Sequence, residues 1–173
     1  AAAVMKHNNP SGVAWAGTLS DAYARAYWAD ALAAFGGAVV VNRAMDRPTA
    51  EQIAETYAEV VAAPEYEAGT VDVLARRKNL RILRIPNMDR LADTASMRFV
   101  DFKSLIDGGI VVQQSPLNRV RTRADLAPAS AKKAGREVRI ERLPTEQELD
   151  DLLFGWQVEQ GVTSNSVLYA KDG

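Results

Sequence analysis

The sequence contains one histidine, His7, with Lys6 directly before it and Asn8-Asn9-Pro10-Ser11-Gly12 directly after. An imidazole is the one side chain whose ordinary titration falls near neutral pH, so His7 is the first candidate for moving a proton. A neighbouring cation disfavours the imidazolium and leaves the ring able to accept. The Lys6 ammonium can itself face a developing oxyanion. The plainer reading is a loop histidine beside a surface lysine, and the dipeptide alone does not decide between them.

Other candidates are weaker. Asn8 to Gly12 has the composition of a turn, with Gly12 free to adopt a positive φ. Phe35-Gly36-Gly37 reads as a helix stop, or as bare backbone that lets a ligand approach closely. Ser164-Asn165-Ser166 offers either side-chain capping of a turn or an amide aimed at a ligand. A Ser-His-Asp triad lacks the G-x-S-x-G elbow that would support it. There is no phosphate-cradling P-loop, and no pair of carboxylates has glycosidase-like spacing.

Composition narrows the chemistry further. The 173 residues carry a net charge of −1, with 47% apolar and 25% charged residues. That balance suits a single globular domain and gives no bulk basic field for nucleic acid or anionic membrane. No apolar run approaches the roughly 18 residues of a membrane span. There is no cysteine, so disulfides, thiol nucleophiles and thiolate metal sites are excluded. With one histidine besides, a zinc centre would need an unusual all-carboxylate set, and no metal is expected. A cytoplasmic location is the simplest expectation. The chain begins inside a strand pattern and ends at Asp-Gly, which suggests a piece of something longer.

These residues need elements to position them. "AAAVMK" reads as a buried strand leading into the His7 loop. Thr18 to Phe35 has apolar residues at helical spacing, with Ser20 and Asp21 as caps. Residues 38–42 and 59–64 are further strands, and a helix opening at Pro48 runs to about Tyr57. A helix from about Ala68 to Arg77 precedes strands at 80–85, 97–102 and 108–114. Residues 115–137 are polar, basic and turn-rich, a surface excursion. A capped helix at 144–160 leads to a last strand, "SNSVLYAKDG". Strands alternating with helices indicate an α/β fold with a layered, parallel or mixed sheet.

Four segments then fall in a familiar order. "KHNNPSGVA" resembles the K-H-x-N-P-C/S-G signature of the AICAR transformylase domain of the bifunctional enzyme AICAR transformylase/IMP cyclohydrolase. "DALAAFGGAVVVNRAMD", "EVVAAPEYEAGTVDVLARRKNLRIL" and "TSNSVLYAKDG" are similar to three further segments of that family, collinear along the chain. The resemblance implies a three-layer α-β-α, cytidine-deaminase-like fold over residues 1–173 that dispenses with zinc. It implies formyl transfer from 10-formyltetrahydrofolate, as co-substrate, to the 5-amino group of AICAR, giving FAICAR in purine biosynthesis.

In that scheme His7 matches the general base and Lys6 the residue that steadies charge on the formyl oxygen. Asn165 matches the asparagine that hydrogen-bonds the reacting groups. Gly36 and Glu59 fall on positions that hold AICAR, although some relatives carry aspartate in place of Glu59. The resemblance also implies a homodimer with its active site at the interface. Ser11 stands where cysteine is commoner. Residues 115–137 are the least family-like stretch. The family's Arg-Tyr phosphate element, most of its folate contacts and its cyclohydrolase domain lie outside the matched segments, so the chain resembles the first half of a transformylase domain and is expected to be inactive alone. A nucleotide-binding module of the same fold without turnover is the competing expectation.

Overall fold

The computed structural model describes residues 1–94 and 96–173. Its centre is a five-stranded mixed sheet, built from β1 (Ala2–Lys6), β2 (Asn9–Ala14), β3 (Gly37–Val41), β4 (Ala58–Ala63) and β5 (Arg81–Arg84) in the order β2-β1-β3-β4-β5. β1 runs antiparallel to both β2 and β3, whereas β3, β4 and β5 are parallel. The class is α/β, as the alternation of elements predicts.

The first difference from the sequence reading lies at the His7 loop. Residues 9–14 form a strand, not a turn, and the turn is confined to His7 and Asn8. Both have positive φ, 53° and 64°, the signature of a two-residue hairpin turn whose twist matches the flanking strands. Asn and His tolerate this region better than most side chains. Gly12 has no positive φ; it sits inside β2 for lack of a side chain. A Cβ there would lie 2.0 Å from the Ala26 carbonyl oxygen and 2.9 Å from Ala29 Cβ, so only glycine lets the first helix pack this closely. Between Val4 and Met5 the β1–β2 register slips by one residue, and the Ser11 hydroxyl donates to the Val4 carbonyl at 3.1 Å beside the slip.

The expected helix over Thr18–Phe35 is two helices, α1 (Leu19–Ala29) and α2 (Ala31–Ala34). Thr18, not Ser20 or Asp21, is the N-cap of α1, accepting from the Asp21 amide. Asp30 breaks the run because its carboxylate accepts from the Ala33 amide and caps a second start. α3 (Arg47–Glu55) is capped by Asp46, with Pro48 in its first turn, where a missing N–H is harmless. α4 is shorter than expected, Thr70–Leu74.

Alternation along the strands sets the core. Ala2, Val4, Val39, Val41 and Val61 are buried in one cluster with Tyr23 and Ala26 of α1, Ile53 of α3 and Leu74 of α4. Their neighbours Ala3, Met5, Ala38, Val40 and Val60 point to the opposite face, which is only half-buried.

After β5 and a short α5 (Leu91–Thr94), β6 (Val100–Ser104) and β7 (Ile110–Gln114) pair with each other as an antiparallel hairpin separate from the main sheet. Phe102, Ile110 and Val112 share one exposed face of it. Residues 115–137 carry more structure than a loop. Part of a second hairpin, β8 (Ser130–Lys133) with β9 (Arg136–Arg139), lies there. A turn at 123–125 is fastened to α6 (Glu146–Glu159) by Arg123, which pairs with Asp150 and Glu146. The Trp156 indole also donates to Asn118 Oδ1 at 2.8 Å.

The expected final strand does not form: among the described residues, 164–173 join no sheet. Asp172 and Gly173 adopt φ of 54° and 71°, outside the extended region a ladder requires. The segment docks through other contacts. The Trp15 amide donates to the Gly173 carbonyl at 3.0 Å, and Arg25 donates to the carbonyls of Trp15 and Asp172.

Candidate active site

The site forms where three chain reversals meet at one end of the inner strands β1, β3 and β4. β1 delivers Lys6 to its end, and the two-residue turn throws His7 out at the tip of the hairpin, where it is exposed. α2 ends at Phe35, and the chain reverses through Gly36 at φ 71° into β3. A non-glycine residue held there costs about 1–2 kcal/mol. β4 enters beside them with Tyr57 before it and Glu59 within it.

Together these segments line an open depression of about 560 Å³, with Met5, Lys6, His7, Asn8, Phe35, Gly36, Gly37, Ala38, Tyr57, Glu59 and Val60 in its wall. The volume is in the range of small-molecule sites. Another depression, of about 430 Å³, is lined by Glu51, Ala54, Glu55, Arg76 and Arg77. It holds no histidine, and Arg77 there already donates to the Ala54 carbonyl.

Specific bonds fix the wall. Lys6 Nζ donates to the Phe35 carbonyl at 2.7 Å, which occupies one of its three N–H donors and leaves two for a ligand. The Gly36 amide donates to the Tyr57 carbonyl at 2.8 Å. The rings of Phe35 and Tyr57 pack with centroids 4.8 Å apart and planes tilted by 33°. A Cβ on Gly36 would stand 3.4 Å from the Tyr57 ring and 3.8 Å from Glu59 Oε1, so the bare α-carbon forms a floor between an aromatic ring and a carboxylate.

The depression therefore brings together Lys6, His7, Gly36 and Glu59. Asn165 is not in its wall. It lies on an exposed loop that is tied to the His7 hairpin one step away: the Thr163 amide donates to Asn9 Oδ1 at 2.8 Å. Asn165 Oδ1 accepts from the Ser164 hydroxyl at 3.1 Å.

Sequence reasoning singles out Phe35-Gly36-Gly37 for its bare backbone but not for the Phe35 ring, and it misses Tyr57 as a wall residue and Asn9 as a tie. The hint for the aromatic pair is that each immediately flanks a strand, before Gly36-Gly37 and before Ala58-Glu59. Nothing in the spacing reports that two such flanks end side by side.

Among the described residues, no group of three or more His, Cys, Asp or Glu side chains is arranged to hold a metal ion. No helix among them is long and apolar enough to cross a membrane.

Comparison with known proteins places the chain in a family. Relatives called bifunctional purine biosynthesis protein PurH include that of Anaeromyxobacter dehalogenans (strain 2CP-C), 40% identical over 99% of this chain and 31% of its own. That of Roseobacter denitrificans is 38% identical over 100% of this chain and 30% of its own. That of Chlorobium phaeobacteroides is 37% identical over 99% and 29%. The chain thus spans about 30% of the length of these relatives. The family model described as AICARFT/IMPCHase bienzyme matches residues 1–173, and with a match over its whole length the chain belongs to that family, a family of purine-biosynthesis enzymes.

Proposed function

We propose that this segment, within its full-length enzyme, carries the acid–base half of a formyl transfer from 10-formyltetrahydrofolate to the 5-amino group of AICAR. The observation that carries the reading is the single depression shared by Lys6, His7, Gly36 and Glu59. An acceptor amine conjugated with a carboxamide is a poor nucleophile and must lose a proton as it attacks.

In the step, the amine nitrogen bonds to the formyl carbon and the carbonyl electrons move onto oxygen. His7 takes the amine proton, and an N–H of the Lys6 ammonium not used by Phe35 faces the oxyanion. Collapse breaks the bond to the folate nitrogen, which leaves with a proton, giving FAICAR and tetrahydrofolate. Asn165, held beside the hairpin, hydrogen-bonds the reacting groups. Glu59 accepts from N–H or O–H groups of the nucleotide, and Gly36 admits it to bare backbone. The full-length protein would add IMP cyclohydrolase activity and act in the cytoplasm as a homodimer with its site at the interface. The exposed apolar face of the β6–β7 hairpin supports burial against a further surface: Phe102 is 72% exposed.

The test is FAICAR formation by the full-length enzyme from AICAR and 10-formyltetrahydrofolate. Turnover is expected, with no activity from residues 1–173 alone. Tight AICAR binding without turnover in the full-length protein would replace this reading with a nucleotide-binding module.

A further inference from the structure

One side chain joins the two parts of the proposed site that the sequence separates most widely. Asn9, half-buried at the start of β2, donates from Nδ2 to the His7 carbonyl at 3.1 Å and accepts at Oδ1 from the Thr163 amide at 2.8 Å. The amide orientation is unambiguous, because the swapped form would set donor against donor and acceptor against acceptor. The first bond closes on the turn that presents His7. The second reaches across 154 positions to the loop that carries Asn165. Pro10 lies nearby, its Cδ 4.0 Å from where a Cβ on Gly161 would stand. The His7 turn is closed by the pairing of Lys6 with Asn9, whereas residues 163–165 belong to no helix or strand, so the Asn9 side chain is what ties their loop to that turn.

We propose that Asn9 is a positioning residue, a clasp that sets the Asn165 loop in register with the His7 turn. It need touch neither substrate. The inference rests on the formyl-transfer reading for its kinetic consequence, but the clasp itself is a structural relationship that can be tested separately. Its effect would be felt in the transition state, where misplacing a catalytic group by about 1 Å can cost on the order of a hundredfold. AICAR binding, spread over other contacts, would change little.

The experiment uses the full-length enzyme and its Asn9→Ala and Asn9→Asp variants. Amide hydrogen exchange at Thr163 reads the clasp, and steady-state kinetics with AICAR and 10-formyltetrahydrofolate reads positioning. In Asn9→Ala, Thr163 should exchange roughly tenfold faster, as expected for losing one partly exposed hydrogen bond. Its kcat should fall about ten- to a hundredfold, with KM for AICAR nearly unchanged. Asn9→Asp keeps the acceptor for Thr163 and should restore protection and part of kcat. Combined with Asn165→Ala, Asn9→Ala should cost little more than Asn165→Ala alone, because the two act through one group.

Unchanged Thr163 exchange in Asn9→Ala overturns the clasp whatever the activity. Faster exchange with wild-type kcat, or fully additive losses with Asn165→Ala, overturns the positioning role. A wild-type enzyme that makes no FAICAR overturns the functional reading, while the exchange result still decides whether the clasp exists.

Discussion

The Lys6 ammonium and the Phe35 carbonyl meet at 2.7 Å, and this bond joins the end of β1 to the turn that leads from α2 into β3. The Phe35 carbonyl is held in place from its other side. Its own ring rests on Tyr57, and the next amide, Gly36, donates to the Tyr57 carbonyl. Lys6 is thus aimed through Phe35 by a residue on a third segment. Replacing Tyr57 with alanine should remove an aromatic pair worth about 0.5–1.5 kcal/mol beyond burial and loosen the turn. Tyr57→Phe should be close to wild type, because the bond to Gly36 uses the backbone. Thermal unfolding and KM for AICAR in the full-length enzyme would check this; equal losses in both variants would show that the hydroxyl, not the ring, matters.

Gly12→Ala tests the close approach of α1 to β2. The new methyl would lie 2.0 Å from the Ala26 carbonyl oxygen, a backbone atom that cannot rotate away. α1 would have to lift from β2. Overpacking of this kind costs about 1–3 kcal/mol, so the melting temperature of the full-length enzyme should drop by several degrees. No change in melting temperature would mean that α1 sits farther from β2 than described.

Much of this architecture is legible in the sequence, and the misses share a cause. Buried strands such as "AVVV" and the capped helix at 144–160 announce themselves by local pattern, and both appear within a residue or two. Asn9–Ala14 was masked by its turn-like composition. It is a strand because His7 and Asn8 take on the whole reversal, and because Gly12 is needed for helix contact rather than for a turn. Asp30 looks like one more polar residue on a helix face, yet it caps a second helix. "SNSVLYAKDG" alternates like a strand, but pairing is a tertiary event and, among the described residues, no strand edge receives it. For the site, motif resemblance points to Lys6, His7, Gly36, Glu59 and Asn165; the first four share one depression, and Asn165 lies outside its wall. Phe35, Tyr57 and Asn9 act through contacts between segments distant in sequence, which local patterns do not record.

The start of α6 should loosen in acid. Arg142 donates to both Glu148 oxygens, at 2.7 and 2.8 Å, and the Thr145 amide donates at 2.7 Å; the guanidinium first and the amide second hold the Glu148 carboxyl down at about 2. Asp150, paired with Arg123, is lowered as well. A carboxyl depressed in the folded state contributes stability above its unfolded value and loses it as pH falls through its folded one. For Glu148 that window runs from about 4.5 down to about 2. The protection of the first-turn amides of α6, measured relative to the intrinsic exchange rate at each pH, should therefore fall across this range. Glu148→Gln should flatten the response, leaving only the part due to Asp150. A Glu148→Gln variant with the full wild-type response would show that the capping box is not responsible.

The decisive kinetic prediction concerns the pair at the hairpin tip. In the full-length enzyme, His7→Ala should lower kcat by roughly 10²–10⁴, the usual range for a positioned acid–base group, while AICAR affinity falls much less. Lys6→Ala should be similarly damaging, and the double variant should be little worse than either single one, because in the proposed step the base and the oxyanion partner act on one transition state. Lys6→Arg separates charge from shape. The Phe35 carbonyl takes one donor of a compact ammonium, whereas a planar guanidinium on a longer stem cannot keep that bond and aim its remaining donors at the same point. Activity should stay low although the positive charge survives. If Lys6→Arg recovered near-normal turnover, the charge alone would suffice, and the geometry set by Phe35 and Tyr57 would have no part in catalysis. If His7→Ala kept normal turnover, the proton would leave by another route and the lone histidine would be only the residue that lets the hairpin turn.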